Sequence, residues 1–141
     1  MSRRNPASAP EPVIQRFRID EHGDALLRLM QAEGPEWKVY TNRERWPIYR
    51  DALESSLSLV VLVDGELAGF VRAIIDAGLY RYICDLLVAP AHRGRSLGAV
   101  LMRQVASVEP HLPLYVMSDA DPYYEKLGFR REGSVFEVPA P

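Results

Sequence analysis

The sequence predicts a mixed α/β domain, with an antiparallel run of strands in mid-chain followed by a step that lays two strands parallel. Three observations carry this. Residues 57–88 hold three apolar runs parted by tight-turn residues. The last of them passes through a helix-like stretch to another apolar run at Leu114. Apolar residues also recur at helical spacing on either side of that block. The 141 residues fit one domain, large enough to bury a core without disulfides or metal.

Pro6, Pro10 and Pro12 break up residues 1–12, which read as a disordered leader to a single domain over 13–141. Val13 to Ile19 alternates apolar and polar residues and predicts a first strand. Asp20 offers a helix N-cap, and Leu26, Leu27, Leu29 and Met30 form a helical stripe that stops near Gly34-Pro35. Trp37 to Trp46 is aromatic and basic, and leads into a helix over Pro47 to Ser55 with Ile48, Tyr49, Ala52 and Leu53 on one side. Leu57 to Val63 reads as a strand, and Asp64-Gly65 as a two-residue hairpin turn, because both positions tolerate positive φ. Leu67 to Ile75 pairs back, Asp76-Ala77-Gly78 turns the chain, and Tyr80 to Val88 returns.

Pro90 ends that strand. Leu97, Val100, Leu101 and Val105 mark a helix closed off by Pro110 and Pro113. Leu114 to Met117 is then a short strand, which a right-handed crossover places parallel to the strand over 82–88. Pro122 to Leu127 predicts a short helix stopped by Gly128, and Phe129 to Val138 a final extended segment. That last segment is short, so a second copy could complete the sheet edge; a homodimer is the expectation.

Composition narrows the function classes. Hydrophobic content of 48% and charged content of 26% suit a globular protein. A formal net charge of -2 and a pI of about 5.9 argue against a nucleic-acid binder, which needs surplus Lys and Arg against phosphate. Cys84 is the one cysteine, which excludes an intrachain disulfide and a Cys-based zinc site. His22, His92 and His111 lack ligand spacing, so no metal is expected. No apolar run is long enough to span a bilayer, and none follows the N-terminal arginines as in a secretory signal. A cytoplasmic protein with no membrane partner is expected.

The chemistry lies between Ile83 and Gly98: a strand, a tight loop and a helix start. Amides at a helix N-terminus have no intrahelical partner and sit in the positive end of the dipole, so they receive anions. Gly94 and Gly98 allow close approach to the main chain, and Arg93 and Arg95 add charge. The chain contains no Gly-Lys-Ser or Gly-Lys-Thr, so this is not a nucleotide P-loop, and the spaced glycines of a dinucleotide site are missing.

Val88-x-Pro90, then Arg93-Gly94-x-x-Leu97-Gly98 followed by Val100-Leu101-Met102, resembles the acyl-CoA-binding motif of the GNAT N-acetyltransferase superfamily. That pattern runs Gln or Arg, two residues, Gly, one residue, Gly or Ala. Arg93 takes its first position and Gly98 its last, while Ser96 stands where the middle Gly is usual. Downstream, Tyr123-Tyr124-Glu125-Lys126-Leu127-Gly128-Phe129 is similar to the superfamily's aromatic-Tyr-Glu-Lys-Leu-Gly-Phe segment. The resemblance covers residues 57–138 well and the first 55 only in outline.

The resemblance implies a GNAT-like domain with acetyl-CoA as co-substrate. The strand Tyr82 to Val88 would splay from Leu114 to Met117, and the amide-bearing pantetheine arm would fill the gap against Leu86, Leu87 and Val88. Arg93, Gly94, Arg95, Ser96, Leu97, Gly98 and Ala99 would hold the pyrophosphate. Acetyl transfer to an amine needs a neutral nucleophile, although an alkylammonium has a pKa of about 10.4. It also needs a donor for the oxyanion and a proton for the leaving thiolate. Tyr124 matches the family tyrosine near the cofactor sulfur and is the candidate acid, with a packing aromatic as the alternative. Tyr123 is expected to face the core, with the reverse arrangement as the alternative.

Asp85 is the candidate base or base-positioner, with a hydrogen-bonded structural carboxylate as the alternative; which face it meets depends on a bulge in its strand. Cys84 has no histidine in its motif and reads as a small buried hydrophobe instead of a nucleophile. His92 and His111 are expected at the surface, and Asp119 and Asp121 as caps for the helix carrying Tyr124. Trp37, Tyr40 and Trp46 either line an amine pocket or simply pack. The expected activity is direct acetyl transfer to a primary amine within a ternary complex. An acyl-CoA-binding sensor without turnover is the alternative. The acceptor stays open among polyamines, amino acids, antibiotic amines and protein amines.

Overall fold

A computed structural model describes residues 10–141. The leader expected over 1–12 lies outside the described residues except for Pro10 to Pro12. Among the described residues, five strands form one sheet in sequential order: β1 (Val13–Arg16), β2 (Leu57–Val63), β3 (Glu66–Asp76), β4 (Tyr80–Val88) and β5 (Leu114–Val116). The first four are antiparallel, and β5 lies parallel to β4. The helices are α1 (Ile19–Ala32), α2 (Lys38–Thr41), α3 (Trp46–Ser55), α4 (Leu97–Ala106) and α5 (Asp121–Lys126).

Side-chain alternation along the strands splits the interior in two. Phe17, Val60, Phe70 and Leu87 pack with Leu26, Met30, Tyr49 and Leu53 of α1 and α3 on one face. Val61, Val71, Ala73 and Ile83 pack with Leu97, Leu101, Met102 and Val105 of α4 on the other. The β2–β3 hairpin turns on Asp64 (φ 54°) and Gly65 (φ 78°), the left-handed pair that a two-residue connection needs.

The central strands and α4 lie where the sequence places them, and the termini depart from expectation. The first strand ends at Arg16, not Ile19, because Phe17 turns into the α1-side core while its N–H bonds to the Ser58 carbonyl at 2.8 Å. Helix α1 starts at Ile19, so Asp20 lies inside its first turn and does not cap it. The cap comes from within the helix, where Nδ1 of buried His22 accepts the Arg18 N–H at 2.9 Å. Ile48 is exposed, because Tyr49 and Leu53, one turn apart, define the buried line of α3. Residues 129–138 form no strand: β5 has only three paired residues, too short an edge to recruit them, and Val135, Phe136 and Val138 stay exposed.

Arg81 fixes α4 over the sheet. Its side chain is only 3% exposed and donates to the carbonyls of Val105, Ala106, Val108 and Leu112. The carbonyls lie at the C-terminal end of α4 and in the turn beyond it, where helix bonding runs out and a cation is also favoured by the dipole; Val105 in addition accepts the Val108 N–H at 3.0 Å. The start of β4 is thereby tied to the end of α4, and the helix N-terminus is left beside the end of β4. Arg81→Met should cost about 3 kcal/mol, by stranding buried carbonyls, and urea denaturation would measure the loss.

Candidate active site

The site is organised along β4, which carries a bulge at Cys84. Ala73 faces Ile83 and Arg72 faces Asp85, so Cys84 has no partner on β3. Its half-buried thiol is pushed up in pKa by burial, which keeps it protonated. The extra residue turns Asp85 towards the helices α1 to α3.

There the buried Asp85 carboxylate accepts from the Tyr49 hydroxyl and from Arg72 Nε, both at 2.7 Å and both on Oδ2. The Arg72 guanidinium also reaches Ser56 Oγ at 3.3 Å and lies 5.5 Å from the centre of the Tyr49 ring. Burial, reinforced by Asp85, drives the Tyr49 phenol well above its usual pKa. For Arg72, burial opposes the charge, but the hydrogen bond and charge of Asp85 outweigh it and raise the pKa. The Tyr40 ring lies 4.7 Å from the Tyr49 ring, tilted by 33°, and Trp46 lies 6.2 Å from it, while Trp37 meets Phe70 edge-on at 6.0 Å. All three expected pocket aromatics are therefore half-buried beside the Asp85 network.

On its other edge β4 is paired with β5 only from Arg81 to Ile83. The last link, from the Met117 N–H to the Ile83 carbonyl, is already 3.5 Å long. Cys84 to Val88 have no strand beside them there. The Ala89 N–H bonds to Ala68 of β3, and the Leu87 carbonyl lies 2.7 Å from where a Gly69 Cβ would sit. Residues along an antiparallel strand alternate in the direction of their polar groups. Leu87 is thus committed to β3, and the main chain of Leu86 and Val88 faces the open edge.

A tight turn over Pro90–His92 then leads into the loop before α4. Gly94 has φ 84° and Ser96 φ 59°, both left-handed. Positive φ is what a glycine at the middle motif position would supply, and serine meets it under strain. The amides of Leu97, Gly98 and Ala99 open the helix. Arg95 is exposed and makes no ion pair among the described residues. Arg93 is engaged: Nη2 lies 2.8 Å from Glu33 Oε1, and Nε donates to the Val88 carbonyl at 3.1 Å.

Of the tyrosine pair, Tyr123 departs from expectation. Tyr123 does not face the core: it is 41% exposed, and its hydroxyl lies 2.5 Å from where a Gly98 Cβ would stand. Glycine at 98 lets the Tyr123 hydroxyl come this close to the helix start, and a larger residue would displace it. Tyr124 packs against the α4-side core and stacks on Phe129 at 5.9 Å. Burial, with Tyr123 and Asp119 adding, holds its phenol at about 12. It lines a groove of about 1380 Å³ with Ile83, Ala99 and Val116, at the place where β4 and β5 part.

Neither Asp119 nor Asp121 caps α5; the cap residue is Ala120, whose N–H is taken by Ser118 Oγ at 3.1 Å. The His92 side chain is mostly covered, with Nε2 3.9 Å from Glu66, because the turn at Pro90 folds it back; His111 is exposed as expected. Among the described residues no cluster of three potential metal ligands occurs, and no helix is long and apolar enough to cross a membrane.

Sequence reasoning missed Arg72, Tyr49 and Glu33. Arg72 carried a signal, a lone charge in the apolar run from Leu67 to Ile75. Counting back from the Asp76-Ala77-Gly78 turn, however, sets it opposite Cys84, and only the bulge brings it to Asp85.

An open strand edge running into a left-handed loop and a helix start with free amides places the chain in a class of mixed-sheet proteins with one splayed parallel pair. The acetyltransferase (GNAT) family model matches residues 24–129, and the chain belongs to that family. It is 38% identical over 97 residues to a streptothricin acetyltransferase of Streptomyces lavendulae, a match covering 64% of this chain and 51% of that protein. The chain thus spans about half the length of this curated relative. An aminoglycoside acetyltransferase from an uncultured soil metagenomic sample superposes with a TM-score of 0.70 at 26% identity, over 93% of this chain and 99% of that one. The PaiA N-acetyltransferase of Thermoplasma acidophilum, solved with coenzyme A, shares the fold at 17% identity, with a TM-score of 0.68 over 89% and 93% of the two chains.

Ser96→Gly should relieve the left-handed strain and stabilise the protein by about 1 kcal/mol, seen as a Tm rise of about 3 °C. Because the Tyr124 pKa is raised on folding, its contribution is complete below the unfolded value of about 10 and is lost as pH rises towards about 12. Denaturation from pH 9 to 12 should show falling stability, and a shallower fall in Tyr124→Phe.

Proposed function

We propose that the chain is an acyl-CoA-dependent N-acetyltransferase that moves an acetyl group from acetyl-CoA to a primary amine by direct transfer in a ternary complex. The observation that carries this is the open edge of β4 beyond Ile83, running straight into the left-handed loop and bare amides at the start of α4. The residues present fit acetyl-CoA. The main chain of Leu86 and the N–H of Val88 offer partners to an amide-bearing arm, and Gly94, Ser96 and the amides of Leu97, Gly98 and Ala99 offer a cradle for a pyrophosphate. Arg95 adds the free positive charge. Acetyl-CoA supplies the activated acyl group and a good leaving thiolate.

Tyr124 is the proposed acid. A phenol held near 12 stays protonated through the neutral range and can donate to a departing thiolate, whose own pKa is about 8.5. Asp85 is better suited to positioning than to proton abstraction, since one oxygen already accepts from both Tyr49 and Arg72. With Tyr49 it sets the floor of the acceptor side, walled by Trp37, Tyr40 and Trp46, whose π-faces suit a cation. The named activities of the streptothricin and aminoglycoside relatives favour an amine-bearing antibiotic as the acceptor. A second copy of the chain, paired along the free edge of β5, is the proposed assembly, which light scattering would measure.

Saturating acetyl-CoA should raise Tm, because ligand bound only to the native state stabilises it by mass action; at a hundredfold excess over Kd the gain is about 2.7 kcal/mol. An unchanged melting curve would end this reading. Tyr124→Phe should lower kcat about 100-fold with little change in acetyl-CoA affinity, measured by thiol release with a panel of amines. A chain that binds acetyl-CoA but turns over no amine would instead be the sensor.

A further inference from the structure

We propose that the Glu33–Arg93 ion pair is a clamp between the acceptor side and the cofactor loop, which makes Arg93 a positioning residue and not a phosphate ligand. Arg93 bridges two elements: Nε holds the Val88 carbonyl at the end of β4, and Nη2 holds Glu33 just beyond the end of α1. The Glu33 side chain is only 15% exposed against 53% for Arg93, so the carboxylate is the partner that depends on the pair. A half-sheltered carboxylate without its cation would have to turn out to water, and the chain around it would follow.

That chain is the acceptor side. Glu33 leads directly into Gly34 and the turn Pro35–Trp37, and the Trp37 ring is wedged against Phe70 and Tyr40. Tyr40 in turn packs at a tilt against Tyr49, the donor to Asp85. One ion pair therefore fixes the distance between the loop before α4 and the aromatic wall. A guanidinium satisfied by a carboxylate and a carbonyl has little charge left for an anion, which leaves Arg95 and the helix amides to meet a pyrophosphate.

The cofactor arm of this inference rests on the acetyltransferase reading, so one arm of the test is independent of it. In amide hydrogen exchange without ligand, Glu33→Gln and Arg93→Gln should each speed exchange over residues 34–41 by about fivefold, and the double variant should add little. Arg93→Lys, which keeps the charge, should restore most of the protection. Unchanged exchange in both single variants overturns the clamp whatever the chain binds. In calorimetry, Arg93→Gln and Glu33→Gln should keep acetyl-CoA affinity within about twofold, while Arg95→Gln weakens it about tenfold. In turnover, both clamp variants should raise the amine KM more than they lower kcat. A tenfold loss of acetyl-CoA affinity in Arg93→Gln, with Glu33→Gln unaffected, would make Arg93 a phosphate ligand and sink the proposal. Failure of the unmodified chain to bind acetyl-CoA would remove the acetyltransferase reading, and hydrogen exchange would still decide the clamp.

Discussion

Main-chain N–H and C=O groups along β4 beyond Ile83 face an edge without a strand, and polar backbone withdrawn from water must find partners. Much of the surrounding architecture serves this one break in pairing. Arg81 pins the helix that follows, so that its bare amides arrive where β4 ends. Proline at 90 stops the strand, and left-handed residues at 94 and 96 fold the loop back beside it. Gly69 and the β3 ladder hold the opposite edge, which leaves Leu86 and Val88 turned to the gap.

The two faces of β4 carry different chemistry because of the bulge. Towards α4 lie the apolar groove and Tyr124, a phenol kept neutral by burial. Towards α1 to α3 lies a buried anion with two donors, ringed by aromatic side chains. The cations near the centre are mostly spoken for: Arg72 by Asp85, Arg93 by Glu33, and Arg81 by four carbonyls. Arg95 alone stands unpaired among the described arginines of β3, β4 and the loop before α4, at the place where a polyanion would meet the helix start.

How much was legible in the sequence varied with the range of the interaction. The hairpin at Asp64-Gly65, the strands Leu57–Val63 and Tyr80–Val88 and the helix from Leu97 are local in origin, set by turn residues and apolar periodicity. The loop from Arg93 to Gly98 was equally plain as a motif. Its arginines were not, since a charge reads the same in sequence whether it meets solvent, a phosphate or Glu33. Tyr123 left its expected environment for a similar reason: on a six-residue helix, orientation follows from whatever it packs on, here Gly98 for Tyr123 and Phe129 for Tyr124.

By itself, the sequence determined the order of elements, the antiparallel front with its parallel step, the anion-receptive loop and the family pattern. Each is written in neighbouring residues whose backbone preferences need no distant partner. Only the tertiary structure decided that Asp85 meets Arg72 and Tyr49, that Arg93 turns to Glu33, and that residues 129–138 stay unpaired. Those outcomes depend on a one-residue bulge, a sixty-residue chain closure and a three-residue edge. None has a local signature, because each is a choice between partners that only the folded chain brings within reach.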